Sequence, residues 1–165
     1  MKLPVQIIFF LSFCIPIHLL AQEIPDSGET VIGKEETRMF REKQKANALF
    51  FEANKAKITD NIDKAILLFT QCTEEDPAND AAWYELSMLY FDQKEIEKSI
   101  LSAQKAYELA PANTWYSLSL ASLYANNNQP DDAIKVYEHL RQADPDNKSY
   151  AMDLANIWLQ LDKPQ

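Results

Sequence analysis

Residues 83–111 read WYELSMLYFDQKEIEKSILSAQKAYELAP, and the spacing of side chains in this stretch decides the fold. Trp83, Leu86 and Tyr90 are three and four residues apart, which puts them on one face of a helix. Ser87 lies beside that row, and a residue this small lets a second helix approach closely. Ser99, Ile100, Ala103 and Ala106 keep the same helical spacing further on and form the matching face of that second helix. Large groups on one helix then fit over small ones on the other, as close packing requires. Pro111 cannot continue a helix and begins the crossing to the next element.

The pattern recurs along the chain. Shifted by 34 residues, the sequence places Ala53, Ser87, Ala121 and Ala155 in one column, and Ala56, Tyr90, Tyr124 and Trp158 in another. Ala65, Ser99 and Ala133 align, as do Ile66, Ile100 and Ile134, then Cys72, Ala106 and Leu140. Each unit closes on Pro77, Pro111 or Pro145. Self-similarity at a fixed period means stacked supersecondary units, each of which needs its neighbours to bury its apolar face. Asn79-Asp80 and Asn113-Thr114 offer N-caps for the helices that follow the prolines.

These columns resemble the tetratricopeptide repeat, in which a Trp-x-x-Leu-small-x-x-Tyr run is followed by small residues, an aromatic and a Pro. Trp83, Leu86, Ser87, Tyr90, Ser99, Ala106 and Pro111 occur in that order. The next unit carries Leu120, Ala121, Tyr124, Ala133, Tyr137 and Pro145. The preceding one carries Ala53, Ala65, Phe69 and Pro77, but Glu52 stands where the Leu belongs and Ala56 replaces the Tyr, so it is degenerate. The resemblance covers about residues 46–165 and implies an all-α solenoid, with antiparallel helix pairs stacked into a right-handed superhelix around a concave groove. Units are expected at about 46–79, 80–113 and 114–147, with a partial unit at 148–165. A long helix without a breaker from Lys34 to Lys57 merges with the first unit, and Met39 and Phe40 on it are expected to cover the start of the stack.

Both ends carry further information. Residues 1–21, MKLPVQIIFFLSFCIPIHLLA, place one Lys before an apolar run and end on Ala21, the layout of a secretory signal peptide. An uncleaved anchor is the alternative, disfavoured because Pro16 and His18 make a poor membrane helix and the apolar run is near the lower length limit for spanning. A lipoprotein site at Cys14 is weaker, since Phe13 stands where a small residue is needed. Residues 22–33 hold both glycines of the sequence and read as a flexible tether. At the other end Asp162-Lys163-Pro164-Gln165 aligns with the segment that opens the second helix of the previous unit. Leu154 and Trp158 are therefore expected to be left without a covering helix. Two readings stand: a sequence cut from a longer repeat protein, and an array that ends here under a partner or a second copy.

The composition excludes several functions. The 165 residues carry a formal charge of −9 and a pI of about 4.7, so the clustered Lys and Arg that nucleic acid needs are missing. Beyond residue 21 only Cys72 and His139 remain of their kinds. They fall on second helices two repeats apart, roughly 20 Å or more if packed helices are about 8–10 Å apart, too far for a nucleophile–base pair. Cys72 reads as core. One Cys and one His are no metal set, and NNNQPDD at 126–132 lacks the Gly and terminal Glu of a calcium loop. Pro130 there reads as the opening of a helix. No cofactor, metal or small-molecule substrate is expected, and no enzyme activity.

Binding remains. The resemblance implies that first-helix positions outside the core stripe line the groove and hold an extended peptide or a helix. On this sequence those are Phe50 and Asn54, then Tyr84, Met88 and Phe91, then Trp115, Leu118, Ser122 and Asn126, and Met152. Aromatics and Met suit partner contacts, and amides suit a peptide backbone. Neighbours on the helix are expected to bury part of Trp115. The carboxylate clamp of tetratricopeptide co-chaperones is not matched: Asn54 fits it, but Glu85, Trp115 and Ser119 stand where amides or cations belong. The expectation is an interaction scaffold exported to the periplasm or envelope of a Gram-negative bacterium, or secreted. The alternative is the interaction portion of a longer envelope enzyme, a peptidase or glycan-processing protein. Self-association through the uncovered last helix is a further expectation.

Overall fold

The structure is a computed structural model that describes residues 31–161. The signal-like segment, the tether up to residue 30 and residues 162–165 lie outside the described residues. The chain divides between Glu36 and Thr37: the described residues from Thr37 on form one compact unit, and of the part before it only the start of a helix is described.

Among the described residues there are seven α-helices and no strand: α1 (Val31–Ile58), α2 (Ile62–Glu75), α3 (Asp80–Asp92), α4 (Ile96–Leu109), α5 (Thr114–Asn126), α6 (Pro130–Ala143) and α7 (Lys148–Leu161). The sequence beyond Gly33 has no glycine to weaken a helix interior, and among the described residues prolines fall only at the crossings or at the first position of α6. Helix α1 opens at Val31, within the stretch read as a tether, and carries Gly33 in its first turn. The expected helix–turn–helix units follow as α1 with α2, α3 with α4, and α5 with α6, and α7 packs on α6.

Caps repeat with the same period as the core. Asn79 Oδ1 accepts from Ala82 N at 3.0 Å, and Asn113 Oδ1 from Trp115 N at 3.1 Å. Asn147, one repeat further, accepts from Ser149 N at 3.1 Å. Each satisfies a helix N–H that has no intrahelical partner. The turn inside each unit repeats too. Asp60, Lys94 and Asn128 have φ of 59°, 62° and 55°. The next residue's N–H returns to the carbonyl five positions back: Asn61 to Ala56, Glu95 to Tyr90 and Gln129 to Tyr124, each at 2.9 Å. This left-handed closure turns the chain sharply enough to lay the second helix against the first.

Small residues set the helix spacing. Ser87 and Ser99 are fully buried, and Ser99 Oγ donates to the Ser87 carbonyl at 2.8 Å. A buried hydroxyl is tolerable because it is hydrogen-bonded. Ala53, Ala121, Ala65 and Ala133 are equally buried in the other units. Around them lie two core clusters, one from Phe69, Cys72, Leu86 and Leu89, the other from Leu120, Tyr124, Tyr137, Leu140 and Ile157. Trp83 is pinned by Nε1 donating to the Pro77 carbonyl at 3.0 Å.

Two expectations are corrected. Leu154 is buried in the second cluster, because its helical face points to α6 and not to the uncovered side. Met39 and Phe40 are exposed, so neither covers apolar surface of the stack.

Candidate interaction surface

The first helices of successive units meet directly. Lys57 of α1 forms an ion pair with Glu85 of α3. The rings of Tyr84 in α3 and Tyr116 in α5 lie 4.9 Å apart at 30°. Ser119 Oγ of α5 donates to Met88 Sδ at 3.9 Å. Three pairwise contacts of different chemistry thus fix α1, α3 and α5 side by side. Residues 84, 85, 88, 91 and 92 of α3, and 115, 118, 119, 122 and 126 of α5, follow helical spacing along the face those contacts define.

The candidate residues divide into two kinds. Phe50 is half-buried, its ring edge-on to Phe69 at 5.5 Å. Asn54 is half-buried too and donates its amide to the Phe50 carbonyl at 2.9 Å. Tyr84 is held on Tyr116, and Leu118 packs against the second core cluster. These four build the wall. The accessible ones are Met88, Phe91 and Trp115, 38%, 42% and 74% exposed, with Ser122, Asn126 and Met152 also exposed. Asn126 Nδ2 donates to Ser122 Oγ at 3.3 Å, which leaves the amide oxygen to accept. Trp115 departs from expectation: its neighbour Tyr116 takes the buried position and the indole stays outside. The structure therefore brings large apolar side chains to solvent on a face fixed by interhelical contacts.

Sequence reading missed Tyr116. Burial pushes its phenol up to about 12, assisted by a hydrogen bond to Asp80 and by the charge of that carboxylate. The available signal was its column, since Ala82 one repeat earlier is fully buried. Also missed were two clefts on the second-helix side, related by the repeat. One, of about 350 Å³, lies over Leu86 and Tyr90 between α2 and α4. The other, of about 250 Å³, lies over Leu120 and Tyr124 between α4 and α6. Gln104 crosses the second to reach Tyr124 Oη at 2.5 Å, whereas Thr70, its counterpart in the first, bonds its own helix carbonyl at Ile66.

The polar groups capable of chemistry stand apart. Cys72 is buried, with Sγ donating to the Ala46 carbonyl at 3.2 Å. Burial, and then the charge of Asp76, raise its thiol to about 11 and keep it protonated. His139, exposed on α6, meets Tyr107 Oη through Nδ1 at 3.3 Å. Among the described residues no three His, Cys, Asp or Glu cluster as metal ligands. No described helix is long and apolar enough to cross a membrane.

Comparison with known proteins bears on these observations. Two sequence models described as tetratricopeptide repeat match residues 59–114 and 99–157. No curated protein matches the chain. Among solved structures, the first TPR of Spaghetti (RPAP3) bound to the HSP90 peptide SRMEEVD is 23% identical with a TM-score of 0.60, covering 73% of this chain and 98% of that one. The Arabidopsis OM64 TPR domain is 13% identical with a TM-score of 0.59, covering 72% and 98%. The TPR2B domain of yeast Sti1, in complex with pHsp70, is 15% identical with a TM-score of 0.56, covering 70% and 94%. At these identities the likeness is one of fold.

Proposed function

The chain belongs to the tetratricopeptide repeat family, and on that premise we propose that it is a non-catalytic scaffold holding a peptide or protein partner against its first helices. The observation that carries this reading is the exposure of Met88, Phe91 and Trp115 on helices locked together by the Tyr84–Tyr116 and Lys57–Glu85 contacts. Exposed aromatics on a preorganised wall provide binding area at little entropic cost. Solved structures of similar fold that hold an HSP90 peptide and pHsp70 support a peptide or protein partner here. Cys72 is buried on α2 while His139 is exposed on α6, which supports a role without catalysis.

Export to the cell envelope is part of the proposal and rests on the signal layout of residues 1–21. A second contact is favoured by α7, where Ala155, Trp158, Leu159 and Leu161 are exposed on one side: this helix mediates association with a second copy.

Capture from envelope extract by the full chain, against a Phe91→Ser, Trp115→Ser double variant, tests the reading. Capture per folded molecule should fall at least about five-fold with the chain still folded, because Trp115 is mostly solvated and Phe91, 42% exposed, gives up only its partial burial. Chain recovered from the same envelope fraction should begin at Gln22 on N-terminal sequencing. Undiminished capture by the folded variant sinks the assignment of this face, and a retained Met1 sinks the cleaved signal.

A further inference from the structure

We infer that the partner segment is both apolar and positively charged. This inference rests on the interaction face proposed above and names the chemistry of its ligand. The charges on that face are one-sided. Helix α3 carries Asp80, Glu85 and Asp92 and no Lys or Arg, and α5 carries no acidic or basic residue at all. Lys57 is the cation that reaches the face from α1, and its ammonium is engaged by Glu85.

Each carboxylate has a distinct setting. Asp80 lies beside the Tyr116 phenol, whose proton it helps to hold. Glu85 is committed to Lys57. Asp92 is exposed, and among the described residues no ion pair forms at it. It follows Met88 by four residues and adjoins Phe91, so its charge stands at the edge of the exposed apolar patch. An acidic segment laid along Met88, Phe91 and Trp115 would meet Asp92, and neither α3 nor α5 carries a Lys or Arg to receive it. A lysine or arginine flanking an apolar anchor would meet Asp92 at the patch edge and the net negative field of the whole chain during approach. Exposed Asn126 and Ser122 on α5 add neutral hydrogen-bonding groups for the segment's backbone.

Three synthetic nonapeptides test this on the folded full-length chain by calorimetry. The first has Leu and Phe anchors flanked by lysines, the second has glutamates for the lysines, and the third keeps the lysines with Ser for the anchors. The first should bind best, weaken with salt, and lose about two- to five-fold with Asp92→Asn, as an exposed ion pair allows. Asp92→Lys should reverse the preference toward the glutamate peptide. Glu138→Gln, an exposed change on α6 away from this face, serves as the control for overall charge and should leave binding unchanged. Equal or tighter binding of the glutamate peptide to the unaltered chain overturns the inference while leaving the scaffold reading in place. So does equal loss from Asp92→Asn and Glu138→Gln, which would mark diffuse attraction only, or no saturation by the first peptide. The scaffold reading itself falls only with the capture experiment on Phe91 and Trp115.

Discussion

Cys72 shows how one side chain's surroundings set its chemistry. Its Sγ is buried among Ala46, Ala53 and Phe69 and donates to the Ala46 carbonyl, so the neutral thiol is satisfied, while burial and then the Asp76 charge disfavour a thiolate. Its folded thiol rises from 9.0 to about 11, and the Tyr116 phenol rises from 10.0 to about 12 by burial and then through Asp80. Both groups hold their protons in the fold after the unfolded chain has released them. The stabilisation is therefore complete below about pH 9 and is lost as pH rises through about 11 for the thiol and about 12 for the phenol. Urea midpoints from about pH 8 to about pH 11 should fall steadily, and Cys72→Ala should flatten the slope whatever it does to the midpoint itself. A slope unchanged by Cys72→Ala would mean the thiol is not the group responsible. The same burial explains why a lone cysteine here is no candidate nucleophile.

At the scale of the element, the turn inside each unit is the informative feature. Asp60, Lys94 and Asn128 occupy one repeat column and one left-handed conformation, yet they are not equivalent. Asn and Asp tolerate positive φ because their short side chains bond locally, whereas a Lys has no such compensation. Lys94→Gly should therefore stabilise the chain by about 0.5–1 kcal/mol, read as a shift in chemical-denaturation midpoint at constant slope. Asn128→Gly should gain less. A destabilised Lys94→Gly would show that the Lys side chain makes contacts worth more than the backbone relief. Helix α3 illustrates the division of labour along an element. Leu86, Ser87 and Leu89 are buried for the stack, and Tyr84 and Glu85 fix the neighbouring first helices, while Met88, Phe91 and Asp92 stay at the surface.

For the whole molecule, α7 is where the repeat pattern and its environment part. Ala53, Ser87 and Ala121 are fully buried by second helices, but Ala155 in the same column is exposed and Trp158 beside it is 56% exposed. A contiguous apolar face of this kind favours association. Light scattering across a dilution series should show mass rising with concentration, and Trp158→Glu should hold the chain at one copy. A constant single-chain mass for both would remove the self-association proposal. The sequence by itself determined the helix pairs and the small-against-large columns that bury most of them, though not where α1 opens. A period of 34 with small residues opposite large ones admits few other packings, and local caps at Asn79 and Asn113 agree with it. It could not rank the residues of the proposed interaction face. Trp115 and Tyr116 are adjacent aromatics, and only the approach of α3, with Tyr84 and Asp80 beside it, decided which one is buried and which stays exposed. Leu154 likewise turned inward because α6 lies where its side chain points. Periodicity records which face of a helix is apolar; how much of that face a neighbour covers depends on where the neighbouring helix sits, and that is settled by packing between units.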